Sequence, residues 1–439
     1  MGPTIPYQAG ARPWEAASGL SMLRPVAKPP ISSAASSLNV SYVEGLDHLR
    51  GFAAFMVLFH HGFWVSLGMH YPPPITWNNW PKADNPLFAP LIETHVFVTV
   101  FFIVSGFIFT LVGFDKQIAY GKYMRNRVLR VMPVFLTALF FGIALFPDRF
   151  EWDAFITTAT IFGDMSEAAL RLHPVTTAFW TVAVEFQFYL IFPFLIAIMN
   201  GQGWKPLVWM IALMLGLRTV GFFLGDSIRD LHYWHLIPGR LDAFLVGMLG
   251  ARLYLRWHED PRAAKLGPTH PFFAGLVTAL RERPGSTFGV ALVVLFGWEW
   301  FLSQSGGYPK QAWWKIWAPT WESLVCLLLV LSYLAVATRM WTPVKRLFAF
   351  FGDMSFSTYI CHFMIVGLVI GDPLDRERMP GLMLPFHTWF PGIPPMLDAT
   401  LNTLLLAFPA AIALSLLFFN GVERPFMRLR TRYVHEREG

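Results

Sequence analysis

From about residue 50 to residue 420, apolar runs long enough to cross a bilayer follow one another, separated by short polar connections. Ten lie near 51–69, 94–113, 131–147, 179–199, 204–225, 238–256, 287–304, 321–338, 354–371 and 397–420. The runs are continuous rather than alternating, so the pattern predicts an all-α polytopic membrane protein of about ten transmembrane helices. The stretch 152–163 is apolar but short and is expected to be re-entrant or interfacial. If it crossed, the count would be eleven and the C-terminus would change sides. The connection 257–286 has room for one short helix. Residues 1–41, rich in Pro, Ser and Ala without an apolar period, are expected to be a disordered tail. Residues 42–430 then form the membrane unit and 431–439 a short basic tail. Neither a cleavable leader nor a myristoyl anchor is expected, since Pro6 stands where the latter needs Ser or Thr.

Composition strengthens the membrane assignment. Of 439 residues, 55% are hydrophobic and only 14% charged, with 42 Phe and 18 Trp. Soluble domains carry roughly 25% charged residues, so a soluble enzyme, a disordered chain and a collagen-like fibre are excluded. Cys326 and Cys361 both lie in apolar runs and imply no disulfide framework.

The net charge of +6 would suit an anionic partner, but its distribution points to topology. With ten spans and the N-terminus inside, 23 of the 34 Lys and Arg fall on inner segments, 8 on outer ones and 3 within spans. That asymmetry supports cytoplasmic termini and leaves no role for nucleic acid. No fixed-period repeat or symmetry between halves, of the sort that marks many transporters, is visible.

Ionisable residues within spans are costly and therefore candidates for function. The first span reads Asp47-His48-Leu49-Arg50-Gly51 and, further on, His60-His61. On a helix Asp47, Arg50 and His61 share an arc of about 60°, whereas His60 points nearly opposite to Asp47. His61 would lie roughly 16 Å deeper than Arg50, on the same face as the charged pair. Bonding between neighbouring helices is the plainer reading of the two histidines. Arg127 and Arg130, at i and i+3, share a face and suit phosphate, although positive-inside topology would also explain them. Glu185 is a carboxylate within an apolar span and needs a partner or a proton. Arg240-Leu241-Asp242 is expected to be a local pair, and His362 to lie at a depth close to that of His61. Cys361 beside His362 is not a nucleophile pair, because adjacent helical residues point about 100° apart.

Read in order, these blocks resemble the acyltransferase 3 family of integral membrane O-acyltransferases. The resemblance runs from about 42 to 430. It rests on Tyr42 to Gly51 with the Arg50-to-His61 spacing, Phe101 to Phe107, Arg127 to Arg130 with Pro133, and Trp180 to Tyr189. Gly239 to Asp242, Ser355 to His362 and Glu423 to Phe426 complete it. In the Trp180–Tyr189 block, Ala183 and Phe186 stand where the family commonly has a Ser and a second Glu, and His48 stands for a Gly.

The resemblance implies transfer of an acyl group, most often acetyl, from cytoplasmic acyl-CoA to a hydroxyl of a carbohydrate or glycolipid acceptor, on the extracytoplasmic side of a bacterial cytoplasmic membrane. Arg50, Arg127 and Arg130 would then hold the CoA phosphates. His61 would be general base or acyl carrier, Asp47 would orient Arg50, and Glu185 and His362 would position the acceptor or relay protons. His60, Tyr189, Arg240 and Tyr359 are candidate acceptor-binding residues. No metal is expected, and the companions would be proteins of polysaccharide biosynthesis or export. A transporter or flippase for a lipid-linked sugar is the alternative from another class.

Overall fold

The computed structural model describes residues 43–71, 82–160, 176–224, 237–266, 270–306, 312–373 and 375–436. The tail expected over 1–41 lies outside these, as do 161–163 and 437–439.

The long helices are α1 (Glu44–His70), α2 (Val96–Gly113), α3 (Tyr120–Leu145), α5 (Trp180–Gln202), α6 (Lys205–Leu224) and α7 (Ile237–Trp257), with the short α4 (Trp152–Ala159) after α3. They continue with α8 (Pro271–Glu282), α9 (Pro284–Gln304), α10 (Ala318–Ala337), α11 (Thr342–Asp353) and α12 (Ser355–Ile365), which runs on as a π-turn to Ile370. The last is α13 (Pro395–Met427). Among the described residues, α1, α2, α3, α5, α6, α9, α10 and α13 are long and apolar enough to cross a membrane. The α11–α12 pair, bent by 66°, would make a ninth. Trp209, Phe223, Val293 and Leu417 are each at least 70% exposed. An exposed apolar surface of this kind belongs against lipid.

Two of the ten runs expected to be spans fall outside these eight among the described residues, each for its own reason. The predicted span 354–371 is a short helix entered through a sharp bend. The predicted span 238–256 is a 21-residue helix, α7, charged by Arg240, Asp242, Arg252 and Arg256. α7 packs against α2, α5, α6 and α10, so it is covered by protein. Two glycines permit its approach to α2: a Cβ on Gly106 would lie 2.1 Å from the Phe244 carbonyl oxygen, and one on Gly247 2.2 Å from that of Ile103. Small residues let helix backbones approach this closely in membranes.

The charges on α7 then find partners on its neighbours. Arg240 and Asp242 do not pair with each other, because residues two apart on a helix point about 200° apart. Asp242 takes Arg218 of α6, Nη2 to Oδ2 2.8 Å, with Thr320 bonded to both. Arg240 faces Glu322 of α10 at 3.5 Å, and the same carboxylate accepts from Thr99 of α2 and from Trp298 Nε1 of α9. One buried carboxylate thus joins four helices.

α4 spans eight residues, about 12 Å at 1.5 Å each, too short to cross. The 257–286 connection does hold a helix, α8. α3 begins eleven residues before the apolar run at 131, so Arg125, Arg127 and Arg130 lie on the helix, as the face shared by Arg127 and Arg130 requires. The segment expected to be a short basic tail, 431–439, opens with a strap: β2 (Val434–Glu436) pairs antiparallel with β1 (Lys116–Ile118), Gln117 opposite His435. Asn126 of α3 clamps its start, donating to the Thr431 carbonyl at 2.6 Å and accepting from the Thr431 N–H at 3.0 Å.

Arg218 and Asp242 are 1% and 0% exposed, so breaking the pair leaves a buried charge. Arg218→Met is expected to destabilise the folded protein by about 3–5 kcal/mol, with Arg218→Met/Asp242→Asn recovering much of the loss. Thermal unfolding in detergent checks this, and a double variant no more stable than the single one would contradict it.

Candidate active site

α1 organises the site. Its first turn carries Glu44 and Asp47, favourable at a helix N-terminus. It is held tightly to α11, since a Cβ on Gly51 would meet the Gly352 nitrogen at 2.7 Å. One turn into α1, Arg50 and Asp47 face each other at 3.8 Å, about a quarter and a sixth exposed.

Deeper in the bundle, His61 meets α12. Its Nδ1 lies 3.0 Å from His362 Nε2, and the rings stack at 4.9 Å with Phe363 beside them. His362 Nδ1 lies on the Tyr359 carbonyl oxygen, which can only accept. His362 therefore carries its proton on Nδ1 and offers a lone pair at Nε2. In the neutral pair, His61 Nδ1–H must donate to that lone pair. The consequence is chemical: His61 Nε2 is the unprotonated nitrogen. His362 is fully buried while His61 is partly accessible, so the basic atom belongs to the reachable ring.

The other histidine of the α1 pair is differently employed. His60 Nδ1 accepts from the Trp64 indole N–H at 3.1 Å, and the residue is 7% exposed. Tyr359, with its carbonyl on His362, uses its hydroxyl to join the Thr181 hydroxyl of α5 at 2.7 Å. Arg240 is engaged with Glu322. The structure therefore brings together His61, His362 and the Tyr359 backbone, and ties His60, Arg240 and the Tyr359 hydroxyl into helix packing.

Glu185 of α5 accepts from the Ser105 hydroxyl of α2 and bonds to Tyr189 one turn on. A hydroxyl does reach this carboxylate, from a neighbouring helix rather than from position 183.

Arg127 and Arg130 part company although they share a face. Arg130 is bound by Glu423 of α13, whose second oxygen accepts from Ser357 of α12. Arg127 sits over the rings of Phe109, Tyr123 and Tyr189, at 4.8, 5.6 and 5.7 Å, and no carboxylate pairs with it among the described residues. Its Nε is buried without a hydrogen bond. A half-buried guanidinium held by aromatic faces, with no carboxylate on it, suits an anionic ligand.

A fourth guanidinium joins these, from the strap. Arg430 donates from Nε to the Met427 carbonyl at 3.0 Å. Burial, with the nearby Arg130 and Arg127, pushes it down to about 10. Four arginines thus gather at one end of the bundle. In the sequence Arg430 is one of several basic residues near the C-terminus, and its place beside Arg130 and Arg127 is a property of the fold. Glu299 was missed too: it is fully buried in α9, and both its oxygens lack hydrogen-bond partners among the described residues. A carboxylate inside a predicted span was the available signal.

The family model described as an acyltransferase domain matches residues 43–420. No curated protein and no solved structure matches the chain.

Asn126 supplies two hydrogen bonds to the strap, each worth about 0.5–1.5 kcal/mol. Asn126→Ala is expected to speed amide exchange at Thr431 and through β2 about tenfold, leaving α2 unchanged. Exchange mass spectrometry reads this; an unaltered rate would mean that β1 holds the strap alone.

Proposed function

The chain belongs to the acyltransferase 3 family, and on that premise we propose that it moves an acyl group, acetyl by preference, from cytoplasmic acyl-CoA to a hydroxyl of a carbohydrate or glycolipid. The observation that carries the reading is the His61–His362 contact, which leaves His61 Nε2 free to act as a base.

In this mechanism Arg127 engages the CoA phosphates first, because it has no competing carboxylate. Arg50 and Arg430 add charge beside it, and Arg130 holds the site together through Glu423. The thioester end reaches into the bundle towards His61. The acceptor hydroxyl gives its proton to His61 Nε2 as its oxygen bonds the thioester carbonyl carbon. The tetrahedral adduct then expels the CoA thiolate, which recovers the proton from Nε2. Throughout, His61 Nδ1–H stays on His362 Nε2, so His362 is a positioning residue that fixes the tautomer. The cycle needs only one proton shuttled by one imidazole, which favours the base over an acyl carrier at His61. Glu185, with Ser105 and Tyr189, would orient the acceptor. The same orientation of the protein puts both termini in the cytoplasm, with the acceptor entering from the opposite side of a bacterial inner membrane.

His61→Ala should lower kcat by about 10²–10⁴ while CoA binding survives. Wild-type transfer by a folded His61→Ala would sink the base assignment. A structural role for His362 would not separate two substitutions of similar size. His362→Gln, whose amide can donate to the Tyr359 carbonyl and accept from His61, should keep more kcat than His362→Phe, with KM for acyl-CoA little changed.

Arg127→Ala should weaken CoA binding about 10–100-fold, the loss of one charge-assisted contact. Arg130→Ala should also lower thermal stability, because Glu423 would be left buried without its cation. Calorimetric titration with CoA and melting curves distinguish the two. Slow hydrolysis of acyl-CoA in the absence of acceptor would separate the enzyme from a flippase, which needs no CoA.

A further inference from the structure

At the end of α1 remote from the arginines, three residues distant in sequence converge. His70 closes α1, His387 lies in the short helix Phe386–Trp389, and Asp398 lies in the first turn of α13. His70 is twenty residues from Arg50, roughly 30 Å along the helix. His70 Nδ1 is 3.1 Å and His387 Nδ1 3.4 Å from the same oxygen, Asp398 Oδ2. All three atoms lie within 4.8 Å of one another. The Tyr71 hydroxyl donates to that oxygen as well, at 3.0 Å.

Hydrogen bonding alone accounts poorly for this arrangement. A carboxylate oxygen has two lone pairs, and here three donors would crowd one atom. Asp398 is fully buried, so its charge must be met locally. Two imidazoles presenting nitrogen to one carboxylate oxygen make an N2O donor set of the kind that binds divalent transition metals. Ligands on a tetrahedral Zn²⁺ at about 2.0–2.1 Å stand about 3.3 Å apart. The 3.1 and 3.4 Å separations bracket that value.

The surrounding shell fits a metal carboxylate. Asn402 Nδ2 donates to Asp398 Oδ1 at 2.8 Å, fixing the carboxylate's direction. Asn402 also bonds Leu384 through both its N–H and its carbonyl, which anchors the segment that carries His387. The Tyr71 hydroxyl donates to the other oxygen, Asp398 Oδ2. Outer hydrogen bonds of this kind orient metal ligands.

We propose that His70, His387 and Asp398 form a binding site for a divalent transition-metal ion, Zn²⁺ in kind, with at least one open coordination position. The ion ties the segment between α12 and α13 to the end of α1. No sequence spacing announces the site, since 317 residues separate its first two ligands. It is independent of the acyl-transfer reading, because its test reads metal and not turnover.

Untagged, detergent-purified full-length protein, stripped with chelator and dialysed against Zn²⁺, should retain about one equivalent by elemental analysis. Co²⁺ in its place should give the visible absorption of a four- or five-coordinate site. His387 is 44% exposed, so His387→Ala should fold with an unchanged metal-free melting temperature. It should bind at least about tenfold more weakly and lose the rise in melting temperature that Zn²⁺ gives the wild type. Asp398→Asn should likewise lose the Co²⁺ spectrum. Wild-type protein that retains no Zn²⁺, or His387→Ala that binds as the wild type does, would overturn the proposal and leave the three residues as a hydrogen-bonded clasp.

Discussion

A charge taken out of water and left alone in a low-dielectric interior is costly, and the arrangement of this bundle follows from avoiding that. Arg218 with Asp242, Arg240 with Glu322 and Arg130 with Glu423 each join different helices. α7 could not face lipid with its charges unmet; it lies among α2, α5, α6 and α10 because its partners are there. The apolar surface then falls to helices such as α6 and α9, which carry large exposed side chains outward. Glu423 reaches Arg130 and Ser357 from a π-turn, Phe419–Glu423, a local widening of the helix that recurs at functional sites.

Against this background the exceptions are informative. Arg127 has aromatic faces in place of a carboxylate, and His61 has one nitrogen bonded and one left basic. Pairing that stabilises the bundle consumes a group's binding capacity; these two retain theirs. A guanidinium without a carboxylate partner and an imidazole whose tautomer is preset are the features that the proposed transfer from an anionic thioester would use. Glu299, buried without a hydrogen bond among the described residues, belongs to neither group.

Much of the frame was legible in the sequence, and so was part of the site. Each of the ten apolar runs contains a helix, and the common face of Asp47, Arg50 and His61 follows from helical period alone. What failed did so where an element depends on distant residues. The Arg240–Asp242 pair read as local because both residues lie within one block, yet their partners lie on α6 and α10. The segment beyond 430 read only as a short basic tail because a three-residue strand has no signature apart from its partner. Arg430 and the His70–His387–Asp398 group were invisible for the same reason.

The sequence by itself determined that this chain lives in a membrane and belongs among acyl-transferring proteins, since hydropathy and short ordered blocks are local properties. The tertiary structure decided which charges are spent on holding helices together and which remain open to a ligand. It also decided which nitrogen of His61 is basic, because that depends on a carbonyl and a ring three hundred residues away. Apolar burial is a sum over residues and can be read along the chain. Pairing of charges and hydrogen bonds is directional and local in space, so it exists only once the helices have met.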